Sequence, residues 1–242
     1  MELKDMIARR KSVRSYTGQP VEENTLERIN AYMSQMKPLY PDIRVRGEIV
    51  TREQVKCFLP WVTPQLVAVY SEEKEGYLEN VGFLFQQLDL YLQSIGLGVC
   101  WLGMGRMDAK GVASALADDL SFVILLAFGH PKGEAQRESL AQFKRKALTE
   151  ISDQADPRLE PARLAPSSVN SQPWYFTHEG ESIHAYCVRR GLFKAMALGD
   201  MNRIDMGIAL AHLYVSNPET FRFFSVDAPK RKGYGYLGSL AL

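Results

Sequence analysis

Residues 165–175 read APSSVNSQPWY and gather the densest set of ligand-binding groups in the chain. Ser167, Ser168, Asn170, Ser171 and Gln172 supply hydrogen-bond donors and acceptors in a small volume. Pro166 and Pro173 fix φ and restrict the residues before them, so the backbone is irregular but stiff. Trp174 adds a large apolar body with one N–H donor. Such a loop suits a planar polar ligand. The same residues would also serve as a surface loop opening a strand, with Trp174 as ordinary core.

Three further groups carry chemistry. Arg9, Arg10, Lys11, Ser12 and Arg14, in RRKSVRSY, combine guanidinium forks, an ammonium and a hydroxyl that match an anion, phosphate above all; the alternative is a solvated basic helix end. Residues 96–105, GLGVCWLGMG, hold four glycines that allow close backbone approach to a ligand. This stretch follows a helix rather than a strand, so it is not a dinucleotide-binding fingerprint, and a helix-to-strand connection would read alike. Lys144, Arg145 and Lys146, in FKRKALTEI, form a second basic cluster that a solvated patch would also explain.

The elements that must position these groups follow from periodicity. Helical spacing appears over 2–9, 21–36, 76–95 and 201–215, and within 107–120, with Asp200 expected as the N-cap of the last long helix. The 76–95 helix is apolar on too many faces for a surface helix and is expected at the centre or an interface. Strands are expected at 43–50, 66–70, 122–128, 174–177, 182–188 and 221–226, with 179–181 as a hairpin turn. Residues 152–163, charged and holding Pro157 and Pro161, read as a linker. An order then repeats: strand 66–70, apolar helix 78–95, strand 122–128 and basic cluster 144–146, against strand 182–188, apolar helix 201–215, strand 221–226 and basic cluster 230–232. Two apolar helices, one per half, can pack as in a symmetric dimer interface.

The 242 residues are 46% hydrophobic and 24% charged with a net charge of +1, an ordinary globular composition without a global pull toward nucleic acid or membrane. No apolar run is long enough to span a bilayer, and the first residues lack a signal-peptide pattern. Cys57, Cys100 and Cys187 are scattered, and His130, His178, His184 and His212 lack metal-ligand spacing. A cytoplasmic protein without a metal site is expected.

Taken together, RRKSVRSY, GLGVCWLGMG, FKRKALTEI and APSSVNSQPW resemble the FMN-dependent nitroreductase family, with its R-R-S-x-R start, G-L-G-x-x-W-I-G turn, late K-R-K-P-L-E-E segment and P-S-x-x-N-x-Q-P-W loop. The order departs from the family pattern: the P-S-x-x-N loop opens the second half instead of following the arginine–serine segment. In the family's homodimer these motifs come from different subunits. The resemblance therefore implies an α+β, nitroreductase-like fold of mostly antiparallel sheets flanked by helices. Two fused half-units, 1–151 and 152–242, would pack through a central pair of long helices as a single-chain pseudo-dimer. One composite site would survive, its mirror image would be dead, and a monomer would suffice.

The resemblance also implies roles. Arg10, Lys11 and Ser12 would meet the FMN phosphate and ribityl chain, Arg14 would lie near the flavin pyrimidine edge, and Lys144 and Arg145 would complete the phosphate pocket. Pro166, Ser167, Ser168 and Asn170 would line the isoalloxazine from the other half with Gln172 in support, and Leu102, Gly103 and Met104 would cover one ring face. Lys11 replaces a usual arginine or histidine, and Met104 stands where a second glycine is common. The implied activity is hydride transfer from NAD(P)H through FMN to a small oxidised acceptor such as a nitroaromatic or quinone, with no catalytic side chain assigned. A flavin- or nucleotide-binding protein without turnover, and a silent interaction protein of the same fold, are the alternatives.

Overall fold

A computed structural model describes residues 2–56, 63, 65–189 and 192–242, with only the backbone of 192–198. Cys57 and Pro64 lie outside the described residues. In chain order the elements are α1 (Leu3–Ile7), α2 (Glu23–Met33), β1 (Val45–Thr51), β2 (Val55–Lys56), β3 (Gln65–Ser71), α3 (Tyr77–Ser94), β4 (Gly98–Leu102), β5 (Arg106–Met107), α4 (Ala109–Ala117) and β6 (Ser121–Gly129). Then come α5 (Leu148–Ile151), α6 (Glu160–Leu164), β7 (Trp174–Glu179), β8 (Ser182–Val188), α7 (Leu192–Ser216), β9 (Arg222–Phe224) and β10 (Tyr234–Ala241).

One antiparallel sheet runs β1-β3-β6-β4 and another β7-β8-β10-β9, while β2 and β5 form a separate two-stranded ladder. In each four-stranded sheet the order is first, second, fourth, third along the chain. The continuous apolar runs of β3 and β6 have a direct cause: both faces of their sheet are covered. Val67, Val69, Ile124, Leu126 and Phe128 face the main core, which contains α3 and α7. Leu66, Ala68, Tyr70, Leu125 and Ala127 face a smaller core closed by Ala115 of α4.

The two long helices cross where neither carries a side chain. A Cβ on Gly82 would lie 2.1 Å from the Ile204 carbonyl oxygen, and one on Gly207 would lie 2.0 Å from the Glu79 carbonyl oxygen. Only glycine at both positions permits this approach. The polar residues of α3 are buried because each grips a neighbour. Glu79 pairs with Arg203 (2.6 and 3.0 Å), Asn80 accepts from the N–H groups of Leu39 and Tyr40, and Gln87 bonds Lys37 through N–H and carbonyl. Asp89 and Gln93 hold the basic segment described below. Among the described residues no helix is long and apolar enough to cross a membrane.

Several expectations change. The 152–163 stretch is no free linker: Ser152, Leu159 and Ala162 are buried, and His178 closes onto Asp153 (2.7 Å) and Asp156 (3.0 Å). Helix α7 starts at Leu192, so Asp200 lies inside it rather than capping it. Within 96–105 the residues Gly98–Leu102 are a strand, pairing with β6. The tail forms β10, whose glycines weaken the strand signal in sequence. Hence β10, not 221–226, matches β6 in sheet order, and β9 matches β4.

Candidate functional site

The basic segment enters along β4. Val13 N–H donates to the Val99 carbonyl (2.9 Å), and Lys11 N–H donates to Gln93 Oε1 (3.1 Å). Arg10 is 1% exposed; its Nε donates to Asp89 Oδ1 (3.2 Å) and its Nη2 lies 3.4 Å from Ser12 Oγ. The other oxygen of Asp89 accepts from Trp101 Nε1 (3.2 Å). Arg10 is thus fixed within the protein, Ser12 is half-buried and Arg14 is exposed.

The 165–175 loop arrives from the second half and is held on two sides. Asp205 of α7 accepts the Ser168 N–H on both oxygens (3.0 and 3.1 Å), and Ser171 Oγ donates to it (3.3 Å). On the other side Arg145 Nη1 donates to Asn170 Oδ1 (2.6 Å), Asn170 Nδ2 donates to the Lys144 carbonyl (2.8 Å), and the Lys146 N–H donates to Gln172 Oε1 (2.8 Å). These bonds offset local strain: Val169, Asn170 and Gln172 have φ of 47°, 55° and 45°, each costing on the order of 1 kcal/mol for a residue with a side chain.

Where the two segments meet, positive charge accumulates without balance. Arg137, from a stretch with no sequence signal, donates to the Arg10 carbonyl and stacks on Phe143 at 4.2 Å, while Arg145 stands 5.7 Å from the same ring. Burial pushes the Arg145 guanidinium down to about 10, with Arg10, Arg137 and Arg163 adding repulsion. Burial, then Arg10, lowers Arg137 as well. Arg163 is neutralised by Glu160 and Arg10 faces Asp89, but among the described residues no carboxylate pairs with Arg137 or Arg145. Arg145 Nε is buried and has no partner among those residues. This donor set fits a phosphate, whose charge removes the repulsion and whose oxygens take the forks.

Beside the cluster opens a pocket of 160 Å³. Ser12, Arg14 and Gly103 come to it from the first half, and Pro166, Ser167, Ser168 and Val169 from the second. Its apolar wall is Ile124 of β6 and Met201, Ile204 and Ile208 of α7, with Cys100, Trp101 and Asp205 completing it. A side chain at Gly103 would meet Met201 Sδ at 2.9 Å, so glycine there keeps the wall open. Burial raises the Cys100 thiol, which stays protonated and brings no charge.

Of the residues expected at the site, Ser12, Arg14, Gly103, Pro166, Ser167 and Ser168 line this pocket. Arg10 and Arg145 belong to the arginine cluster, and Asn170 and Gln172 fasten the loop to 144–146. Lys11 contributes through its backbone. The Lys144 side chain is exposed and only its carbonyl takes part. Leu102 turns into the smaller core, and Met104 is 88% exposed and outside the pocket lining. Sequence reasoning missed Arg137, Asp205 and the α7 wall. Asp205 had a signal, a carboxylate between the apolar residues Ile204 and Met206 of a helix expected to pack in the core.

Comparison with known proteins agrees with this fold. Residues 2–217 match the family model described as "Putative TM nitroreductase". A solved structure described as a nitroreductase from Thermotoga maritima superposes over 100% of this chain and 94% of its own, at TM-score 0.68 and 20% identity. A nitroreductase family protein from Clostridium difficile 630 is similar over 62% of this chain and 96% of its own, at TM-score 0.50 and 15% identity. No curated protein gives a significant match. The chain belongs to the nitroreductase family, and its α+β architecture is the nitroreductase-like fold.

Proposed function

We propose that this protein is an FMN-dependent oxidoreductase that passes hydride from NAD(P)H to a small oxidised acceptor at one composite site per chain. The observation that carries the reading is the pocket walled by Ser12, Arg14 and Gly103 from one half and by 166–169 from the other, next to an arginine cluster in which, among the described residues, neither Arg137 nor Arg145 pairs with a carboxylate. In this reading Arg10, Arg137 and Arg145 hold the phosphate, and the 166–169 backbone and Gly103 flank the ring. When bound, FMN would supply the hydride-transfer chemistry between the nicotinamide and the acceptor. Arg14 places positive charge at the rim, where it favours a ring carrying negative charge. Asp205 and Asn170 hold the strained loop in place, and the apolar wall from α7 excludes water.

The pseudo-dimer reading draws support from the helix crossing. Gly82 faces Ile204 and Ile208 as Gly207 faces Glu79 and Phe83, so each contact repeats with a shift of 125 residues (207 − 82 and 204 − 79). The same shift puts Asn80 in the place of Asp205, and both accept backbone N–H groups from a loop, 39–40 in one case and 168 in the other. It puts Gly76 in the place of Met201. There the Tyr40 ring packs on Gly76 and meets Phe223 edge-on at 5.8 Å, so side chains fill the mirror position. One site per chain and a monomer in solution follow.

Purified protein is expected to be yellow, with a flavin spectrum whose released cofactor is FMN. It should oxidise NADH or NADPH when a nitroaromatic or quinone is supplied, at a light-scattering mass of one chain. A protein that neither keeps nor takes up FMN refutes the function, and a tight dimer refutes the monomer.

A further inference from the structure

A second cavity, of 310 Å³, adjoins the first and shares its wall: Gly103, Met201 and Ile204 line both. Its character is opposite. Tyr77 and Phe122 present aromatic surface, and the charged groups are Glu73, Asp200 and Arg106. Glu73 comes from the turn before α3, Asp200 from the exposed side of α7 and Arg106 from β5, so three separated elements converge on the opening. Among the described residues neither Glu73 nor Asp200 forms an ion pair within 4.0 Å, while Arg106 Nη1 donates to the Gly105 carbonyl (2.9 Å). Arg203, also nearby, is neutralised by Glu79. Burial raises the Tyr77 phenol, and Glu73 and Asp200 raise it further, so both carboxylates act at its hydroxyl, which remains a donor. The combined space is thus divided: an arginine-rich end that fits phosphate, and a second chamber with aromatic walls and one net negative charge.

We propose that this second cavity is the acceptor subsite, and that it selects flat aromatic acceptors of positive or zero charge over anionic ones. The proposal rests on the flavin oxidoreductase reading above and deepens it by naming the acceptor's charge class. Aromatic walls favour a planar ring, and an opening with excess carboxylate attracts cations and repels anions.

The test compares two nitroaromatic probes of similar size and opposite charge, (4-nitrobenzyl)trimethylammonium and 4-nitrobenzoate, by calorimetric titration of the FMN-loaded protein. At low ionic strength the cation should bind about tenfold more tightly, the effect of reversing a ligand's sign near one net charge in a water-filled cavity. The ratio should fall toward one in 1 M salt, and in Glu73→Gln combined with Asp200→Asn. That double variant should retain the wild-type flavin content. Equal or tighter binding of the anion, a preference that survives in the double variant, or no binding of either probe overturns the proposal. Flavin content, read by absorbance beforehand, tests the underlying function separately. If no FMN is retained, the same titration of flavin-free protein still reads the cavity's preference.

Discussion

Substituting Gly207 by alanine tests the helix crossing on which the site is built. The new Cβ would lie 2.0 Å from the Glu79 carbonyl oxygen and 2.8 Å from both the Glu79 carbonyl carbon and the Phe83 nitrogen. All three are backbone atoms of α3, so no side-chain rotation relieves the clash. Ordinary contact begins at 3.4 Å, which asks for about 1.4 Å of separation (3.4 − 2.0). Overpacking of this kind costs roughly 1–3 kcal/mol, and in a protein of this size each kcal/mol lowers Tm by about 2–4 °C. Gly82→Ala meets the Ile204 carbonyl oxygen at 2.1 Å from the opposite side and should cost as much. One outward movement relieves both clashes, so the double variant should lose less than the sum of the single losses. Gly199 lies on the same helix, with nothing among the described residues within 4 Å of its would-be Cβ, and Gly199→Ala should stabilise by about 0.5–1 kcal/mol. Thermal unfolding of the five proteins, followed by circular dichroism without flavin, decides. Equal stability of Gly207→Ala and Gly199→Ala, or full additivity of Gly82→Ala with Gly207→Ala, refutes the close approach.

Other consequences can be checked independently. Arg145→Ala should weaken FMN binding by roughly ten- to a hundredfold in a fluorescence titration, the loss of a charge-assisted fork, and Arg145→Lys should restore only part of it. His212 is fully buried and neutral, donating from Nδ1 to the Pro161 carbonyl (2.9 Å) and accepting at Nε2 from Gln86 (3.0 Å), and burial lowers it from 6.5 to about 3. Between those values the unfolded chain binds more protons, so stability is complete above about pH 6.5 and falls on acidification, by about 2 kcal/mol at pH 5; denaturant titrations of His212→Gln should show a shallower acid slope. Val169 is 78% exposed with φ of 47°, so Val169→Gly should leave Tm unchanged or raised instead of lowered.

What the sequence made legible was local. The apolar helix at 76–95, the buried strands at 66–70 and 122–128 and the 174–188 hairpin carry their periods in their own residues, and all are found. The pocket motifs were legible for the same reason: Ser12, Arg14, Gly103 and 166–168 need particular residue types, and those types stand out. Hidden features depend on distant parts of the chain. Arg137 reaches the cluster through backbone pairing of Gln136 with Arg10, which nothing in 131–142 announces. β10 is a strand because β8 and β9 pair with it, despite Gly235 and Gly238. The helical start of α7 at Leu192 precedes the regular apolar spacing read from Met201 onward. Leu102 has the composition of a pocket residue, but strand alternation turns it to the opposite face from the main core.

The buried polar groups of the two long helices explain how these scattered parts become one site. Each is a fixed point for a segment with no regular structure of its own: Asp89 and Gln93 for residues 10–11, Asp205 for 168, Asn80 for 39–40 and Gln87 for 37. A loop tied only to its neighbours in sequence would follow local fluctuation. Tied to α3 or α7, it moves with the helix crossing. The arginine segment hangs from α3 and the 165–175 loop from α7, so the distance across the pocket is set by Gly82 and Gly207, neither of which lines it. A change of about 1 Å at that crossing is of the size that disrupts bound geometry. Alanine at either glycine should therefore weaken FMN binding as well as lower Tm, whereas Val169→Gly, which leaves the crossing intact, separates the strain of one loop from the placement of both.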